Sequence, residues 1–506
     1  MDKKKKFFCN GLILTLVGIF MRTVAMFFSS FITRKIGAEG IGLYTVIGAV
    51  YGFAVTFATS GISLTVTRLV AKDDSEGKGE GVSSVLSGAI VYAFIFGSAA
   101  SLVLFFGARG FAGGVLGDIR AEVSLRILAP SLLPLALLSV FSGYFIAVRR
   151  VAMNALSQIF GQLFKIFISI LLISHALPMD ARESALTLSL GTTLTELFCF
   201  LVVLIEFLFD RRRTKREKGK ADVFAVFANA FPLGVSAYIR QALITLEHIL
   251  IPKRLEAGGK SYKDAIASYG TLHGMALPMI LYPMVTLSSF SGLLVPEFAE
   301  RSANEDMEGM RRLASKAFGM TLVYATSVSV ILLTFAEEIG YVVYDSFSAG
   351  VYISVLAPLV PIMYLDHVTD SVLKGIGEQV YSMWVNITDA LLSVALVYFL
   401  LPKMGIMGYA VCIIVMEGYN FILSALRLFK RIKFRISVLD SLVFPGAACA
   451  LSSLVVKCLF ITAGAEESLV WLFLKMLFAL ATAIGIYQIL SLCKYFMLKS
   501  KFNAEI

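Results

Sequence analysis

From residue 7 to residue 493 the chain is a succession of apolar runs of membrane-spanning length, separated by short polar turns. A helix needs about 20 apolar residues to cross the hydrocarbon core of a bilayer. Inside that core each main-chain polar group must find its partner within the segment. These constraints predict an all-α polytopic membrane fold, with no room for a sizeable soluble domain. Composition agrees: 58% of the 506 residues are hydrophobic and 16% are charged, against about 25% charged in an average soluble domain. Fourteen spans are expected, near residues 7–32, 41–69, 81–107, 124–147, 151–174, 184–209, 224–251, 266–295, 314–336, 351–374, 380–401, 406–427, 437–461 and 468–493.

The opening run, "MDKKKKFFCNGLILTLVGIF", starts like a signal peptide. Its apolar stretch is too long for a cleavable segment and no A-x-A site follows, so it is read as the first span. The six cysteines form no C-x-x-C pair. Neither a metal site, a disulfide nor a cofactor is expected from them.

Lysine and arginine set the direction of insertion, because cytoplasmic loops are enriched in them. With the N-terminus inside, 29 of the 45 basic residues fall in inner segments and 10 in outer ones. Both termini are therefore expected in the cytoplasm, and the chain in the plasma membrane. The net charge of +10 is then topology plus attraction to anionic lipid, not a nucleic-acid signal.

Two stretches read alike. "LRILAPSLLPLALLSVFSGYFIAVRR" (Leu125–Arg150) parallels "ISVLAPLVPIMYLDHVTDSVLKGIGE" (Ile353–Glu378), with the Leu-Ala-Pro triplets 228 residues apart. "SGISLTVTRLVAKDDSEGK" parallels "SGLLVPEFAERSANEDMEG". Spans 1–6 and 7–12 are therefore read as two copies of a six-helix unit entering the membrane in the same sense, a common transporter plan. The expected division is 1–210 for the first lobe, 211–222 for a basic linker, 223–432 for the second lobe and 433–506 for two additional helices.

Ionisable groups inside spans cost about 2.5–3.5 kcal/mol each and mark function or pairing. Arg22 stands alone in span 1. Arg240, Glu247 and His248 share span 7, the first two seven residues apart and so on one face. Gln158, Gln162 and Lys165 line one face of span 5. Asp366 and Asp370 are one turn apart in span 10, beside His367. Glu196, Asp389 and Glu417 lie in spans 6, 11 and 12. A wet cavity lined from both halves accounts for these groups; local pairing between helices is the alternative. Arg22, Arg240, Glu247, His248, Gln158 and Gln162 are the candidate substrate contacts. Asp366, Asp370 and Glu196 are the candidate coupling-ion ligands. Lys165, Lys457 and Lys475 are expected to snorkel, and Gly48-x-x-x-Gly52 and Gly270-x-x-x-Gly274 to pack helices. Pro278, Pro283 and Pro296 predict a kinked eighth span. No phosphate-binding loop, H-E-x-x-H or G-x-S-x-G occurs, so an enzyme or a nucleotide-driven pump is not expected.

The motifs "ITRKIGAEGIGLYTVIGAVYGFAVTFATSGISLTVTRLVA", "YGTLHGMALPMILYPMVTL" and "LVPEFAE" resemble the multidrug/oligosaccharidyl-lipid/polysaccharide flippase superfamily. Within it the chain is most similar to the stage V sporulation protein B group, relatives of the lipid II flippase. The resemblance covers nearly the whole chain. It implies two lobes around a central cavity, alternating access, and an isoprenoid-diphosphate-linked saccharide as cargo. It also implies that spans 13 and 14 form a groove for the lipid tail. Arg22 falls on the first arginine of the lipid II flippase's first span, and Arg34 on a later one. The intervening arginine–aspartate pair is replaced by Phe28 and Ser29, so saccharide-lipid export in general is implied rather than lipid II itself.

The reading is a lipid-linked oligosaccharide flippase that acts as a monomer in contact with membrane lipids, with a proton or Na+ as the candidate coupling ion and an ion gradient, the membrane potential or the cargo's own gradient as the source of energy. The alternatives are a cation-coupled drug exporter of the same fold, a membrane-embedded glycosyl transferase or polymerase, and a transport-inactive scaffold.

Overall fold

The computed structural model describes the main chain of residues 3–75, 79–148, 150–176, 180–214, 222–462 and 468–504, and the side chains of most of these. The side chain of Arg22 and the basic linker 215–221 lie outside the described residues. Nineteen α-helices and no strand occur among the described residues. In chain order they are α1 (Lys3–Thr59), α2 (Ile62–Ser75), α3 (Gly79–Gly110), α4 (Ala121–Leu128), α5 (Leu132–Ala147), α6 (Val151–Ala176), α7 (Ala181–Thr214), α8 (Val223–Ala257) and α9 (Tyr262–Tyr269), then α10 (Leu277–Leu281), α11 (Met284–Ala303), α12 (Met307–Thr334), α13 (Ala336–Tyr344), α14 (Phe347–Leu356), α15 (Val360–Gly375), α16 (Gln379–Met404), α17 (Ile406–Arg431), α18 (Phe444–Thr462) and α19 (Leu469–Ala504).

Among the described residues, eleven helices are long and apolar enough to cross a membrane, or thirteen when each of two bent pairs is taken as one span. The protein is a multi-pass membrane protein, but length and apolarity do not reach the expected fourteen. One of the eleven, Thr23–Asp73, runs through Gly37 at φ 79°, ψ 171°. That backbone is open to glycine, and it separates what the sequence reads as spans 1 and 2. The expected kink is present: Tyr262–Leu281 and Met284–Ala303 meet at 53° around Pro283.

The internal repeat appears in register. Leu128-Ala129-Pro130 leads into a 3₁₀ turn, Ala129–Ser131, between α4 and α5. Leu356-Ala357-Pro358 leads into the same turn, Ala357–Leu359, between α14 and α15. Proline at the second position of each turn removes an amide donor, so the helix tightens there rather than running through. Ahead of each pair stands one left-handed residue, Gly117 or Asp345. All of these correspond at the 228-residue offset.

Packing draws a different boundary from the repeat. The first compact unit is Met1–Phe28 with Ile36–Gly270, and the second is Ser29–Lys35 with Thr271–Ile506. Side chains explain both exchanges. Ser30 and Arg34 donate to the Val343 and Val342 carbonyls at 3.1 and 3.2 Å. In the first unit, Thr245 of α8 donates to the Ala49 carbonyl at 3.0 Å, and a Cβ on Gly61 would collide with the Ala230 main chain. Arg22 and Arg240, in the first spans of the two repeats, thus belong to one compact unit.

At the end of α5, Arg150 forms an ion pair with Asp210 of α7, whose carboxylate also accepts from Tyr144 at 2.6 Å. At the end of α15, Glu378 accepts from Arg427 of α17 at 2.8 Å and pairs with Arg431. Elsewhere in the first unit, α1 crosses the end of α9 main chain against main chain. A Cβ on Gly42 would strike the Ile266 carbonyl, and one on Gly270 the Ala38 carbonyl. Gly48 has no such neighbour, and Gly52 approaches only the Gln241 amide, at 3.4 Å. Of the expected packing glycines, Gly270 makes the close contact, and Gly42 is its partner.

Candidate functional site

Each unit carries its own polar cluster. In the first unit, Tyr44 and Tyr51 lie two turns apart on α1 and face the other helices with their hydroxyls. Tyr44 bonds to Thr192 of α7 at 2.8 Å. Tyr51 bonds to Ser131 at 2.6 Å. Ser131 donates to the Leu128 carbonyl, so Tyr51 is the donor in its pair. The 3₁₀ turn at Pro130 is what turns Ser131 toward α1. Glu196 of α7 lies within electrostatic reach of Tyr44, Tyr51 and Lys165. Lys165 therefore has an acid inside the fold rather than only the membrane surface to reach for.

In the second unit the acids gather on three helices. Asp366 of α15 is half-buried and lies within electrostatic reach of Asp370, Asp389 of α16 and Glu417 of α17. Asp370, one turn further on, is already engaged: Lys374 pairs with it and Ser382 donates to it. One oxygen of Asp366 has no hydrogen-bond partner among the described residues. The Asp366/Asp370 pair expected from sequence is thus divided by environment. Asp370 is neutralised by a neighbour, while Asp366 faces two further carboxylates. Like charges within electrostatic reach of one another in a poorly solvated site repel. No group of three His, Cys, Asp or Glu side chains with metal-site geometry occurs among the described residues.

Arg240 is exposed and has no ion-pair partner among the described residues. His248 shares a 2.6 Å hydrogen bond with the Tyr269 hydroxyl, the local pairing that sequence reading holds as the alternative to a substrate contact. Gln158 is exposed and Gln162 half-buried on α6. Lys457 and Lys475 share one acid. Lys475 is buried against Glu338, with Nζ–Oε2 at 3.2 Å, and Lys457 lies 3.8 Å from the same carboxylate. Glu338, at the start of α13, joins α18 and α19 to the second unit. The sequence signal for it is its place in the first turn of a helix, where acids are favoured; that signal does not name its partners.

A family model described as "Polysaccharide biosynthesis protein" matches residues 7–302. Stage V sporulation protein B of Bacillus subtilis (strain 168) is 25% identical over 420 residues, 81% of each chain. Sporulation protein YkvU of the same organism is 20% identical over 403 residues, 78% of this chain and 88% of the relative. The lipid II flippase MurJ in an inward closed conformation superposes with a TM-score of 0.70 at 13% identity, covering 95% of this chain and 98% of its own. An inward-facing multidrug resistance MATE family transporter of the MOP superfamily gives 0.67 at 15% identity, with 83% and 98% covered.

Proposed function

Because the chain belongs to the polysaccharide biosynthesis protein family, we propose that it is a flippase. It carries an isoprenoid-diphosphate-linked saccharide, a cell-wall or polysaccharide precursor, from the inner to the outer leaflet by alternating access. One observation carries this reading. The lipid II flippase covers 95% of the chain, whereas the drug exporter, itself covered to 98%, leaves 17% unmatched. The difference is about the length of α18 and α19, the two additional helices.

In this reading residues 1–210 and 223–432 are the working lobes and 433–506 handle the lipid tail. Arg22 and Arg240 hold the diphosphate, since a guanidinium binds phosphate oxygens in bidentate fashion and each is the one arginine of its span. Asp366, with Asp389 and Glu417 beside it, takes up the proton or Na+ that drives the cycle. The protein works as a monomer in the bacterial plasma membrane with both termini in the cytoplasm, and a reporter fused at Ile506 should give a cytoplasmic signal.

The deciding experiment measures the leaflet accessibility of undecaprenyl-linked saccharides in cells with and without the protein. Loss of outer-leaflet exposure in its absence is expected; unchanged exposure overturns the reading. Cation-coupled drug export is the second reading, and Glu196 amid the hydroxyls of Tyr44 and Tyr51 favours it. Drug efflux that depends on Glu196, with lipid exposure unchanged, would decide for it.

A further inference from the structure

We propose that the first unit holds an anionic phospholipid of the surrounding bilayer, one hydrocarbon chain lying in a slot between α1, α3 and α8 and the phosphate lying at the Lys253 ammonium. The slot has a volume of about 260 Å³ and no polar atom faces it. Its one hydroxyl-bearing residue, Thr245, donates inward to the Ala49 carbonyl. Water therefore finds no partner there. Apolar cavities of this kind stay dry and accept hydrocarbon; about 150 Å³ is enough for benzene. This slot takes a longer piece of chain. Ala54 and Ala100 keep it open, because neither side chain is large enough to fill it. Its rim is exposed: Val103 at 62%, Val115 at 39% and Phe53 at 36%. Those residues lie in or beside membrane-spanning helices, where the surrounding medium is lipid chains.

Charge selects the headgroup. Lys253 of α8 donates from Nζ to the Val115 carbonyl, so a cation sits where the slot ends. It has no ion-pair partner among the described residues. The nearby carboxylates have cations of their own. Asp118 and Glu39 bond Arg120 at 2.8 and 2.9 Å, and Glu39 also has Lys263 at 3.6 Å. Glu256, one turn along α8, is exposed and makes no ion pair with Lys253 among the described residues. An ammonium with no counter-ion among the described residues, at the mouth of a dry apolar slot, matches a phosphate with a chain attached better than it matches a free anion.

The site stands independently of the transport reading, and so does its test. The full chain is placed in phosphatidylcholine nanodiscs with a trace of phosphatidylglycerol bearing a diazirine on its acyl chain, irradiated, and mapped by peptide. Label is expected on the segments holding Phe53 and Val103. Lys253→Gln should lower it about five-fold, the worth of one lysine at an anionic lipid surface, and Lys253→Arg should keep it. Ala54→Phe should remove it by filling the slot; Ala100→Phe is the second filling variant should the first not fold. Equal labelling by the diazirine phosphatidylcholine, or unchanged labelling in a folded slot-filling variant, overturns the proposal. Preferential labelling by a diazirine prenyl phosphate overturns it as well and assigns the slot to the cargo.

Discussion

The two compact units solve one structural problem with opposite charges. In each, the turn after the proline-broken span is tied to the end of a later helix. In the first unit the turn supplies the base, Arg150, and the helix the acid, Asp210. In the second the turn supplies the acid, Glu378, and the helix two bases, Arg427 and Arg431. Arg150 and Glu378 stand at the same place in the 228-residue register. The tie is common to both copies; its polarity is not. An asymmetry of charge also runs through the ionisable groups of the spans. The lone arginines belong to the first unit, while the second gathers Asp366, Asp370, Asp389 and Glu417. Duplicated helices thus share a backbone plan, and the proposed function divides the chemistry between them, phosphate recognition in the first unit and cation handling in the second.

The largest expected effect tests that division. Replacing Asp366 and Asp370 together with asparagine should abolish the dependence of transport on the ion gradient while leaving cargo binding intact. Glu196→Gln in the first unit should leave gradient dependence in place. Transport assayed in vesicles with imposed gradients distinguishes these outcomes, and the division fails if Glu196→Gln has the stronger effect.

Next come the arginines. Arg22→Lys and Arg240→Lys keep the charge but lose the planar fork. Each should lower complementation or cargo binding about 10- to 100-fold, nearly as much as alanine, in line with the roughly 1.5–3 kcal/mol of a charged hydrogen bond. Full activity of both well-expressed variants would remove phosphate recognition from the first unit.

The ties themselves differ in depth. Asp210 is fully buried, so Arg150→Met strands a buried charge and should cost about 3 kcal/mol. Arg427→Ala leaves Glu378 its second arginine and should cost about 1 kcal/mol. Thermal unfolding of the purified variants should rank them in that order; the reverse ranking would mean that the double-arginine tie is the stronger one.

The smallest effect is one of pH. The Arg427 hydrogen bond, seconded by Arg431, lowers the Glu378 pKa against the opposing effect of burial. A depressed carboxylate contributes stability that is present above its unfolded value of about 4.3 and is lost as pH falls through the lower folded value. Unfolding midpoints between pH 5 and pH 3 should therefore fall less steeply in Glu378→Gln than in the unsubstituted protein. Parallel curves would show that the tie contributes nothing ionic.

Much of this was legible in the chain. Run length predicts the helices, and the Leu-Ala-Pro triplets predict the repeat to the residue, because proline at a fixed place in a helix has a local effect that tertiary structure does not overrule. The family resemblance drawn from the Ile32–Ala71 and Tyr269–Leu287 motifs agrees with the family match over 7–302. What stayed hidden are relations across helices. Periodicity places Asp366 and Asp370 on one face, but only packing shows that Lys374 and Ser382 occupy Asp370 while Asp389 and Glu417 come within electrostatic reach of Asp366. Lys457 and Lys475 look like snorkelling residues until Glu338 arrives from 119 and 137 positions upstream. The boundary of the compact units was equally illegible, since linear pattern does not say that α8 packs with the first unit and Ser29–Lys35 with the second.

The crossing of α1 over the end of α9 has a genetic consequence. Gly42 and Gly270 touch through their main chains, so an added methyl at either position strikes the other helix whatever stands opposite. Neither position has a compensating partner change, and no order of single steps leads out of the pair. The two halves of the gene are thereby bound to one another. A chimera that joins this N-terminal half to a homologue bearing alanine at the position of Gly270 inherits a collision that neither parent contains.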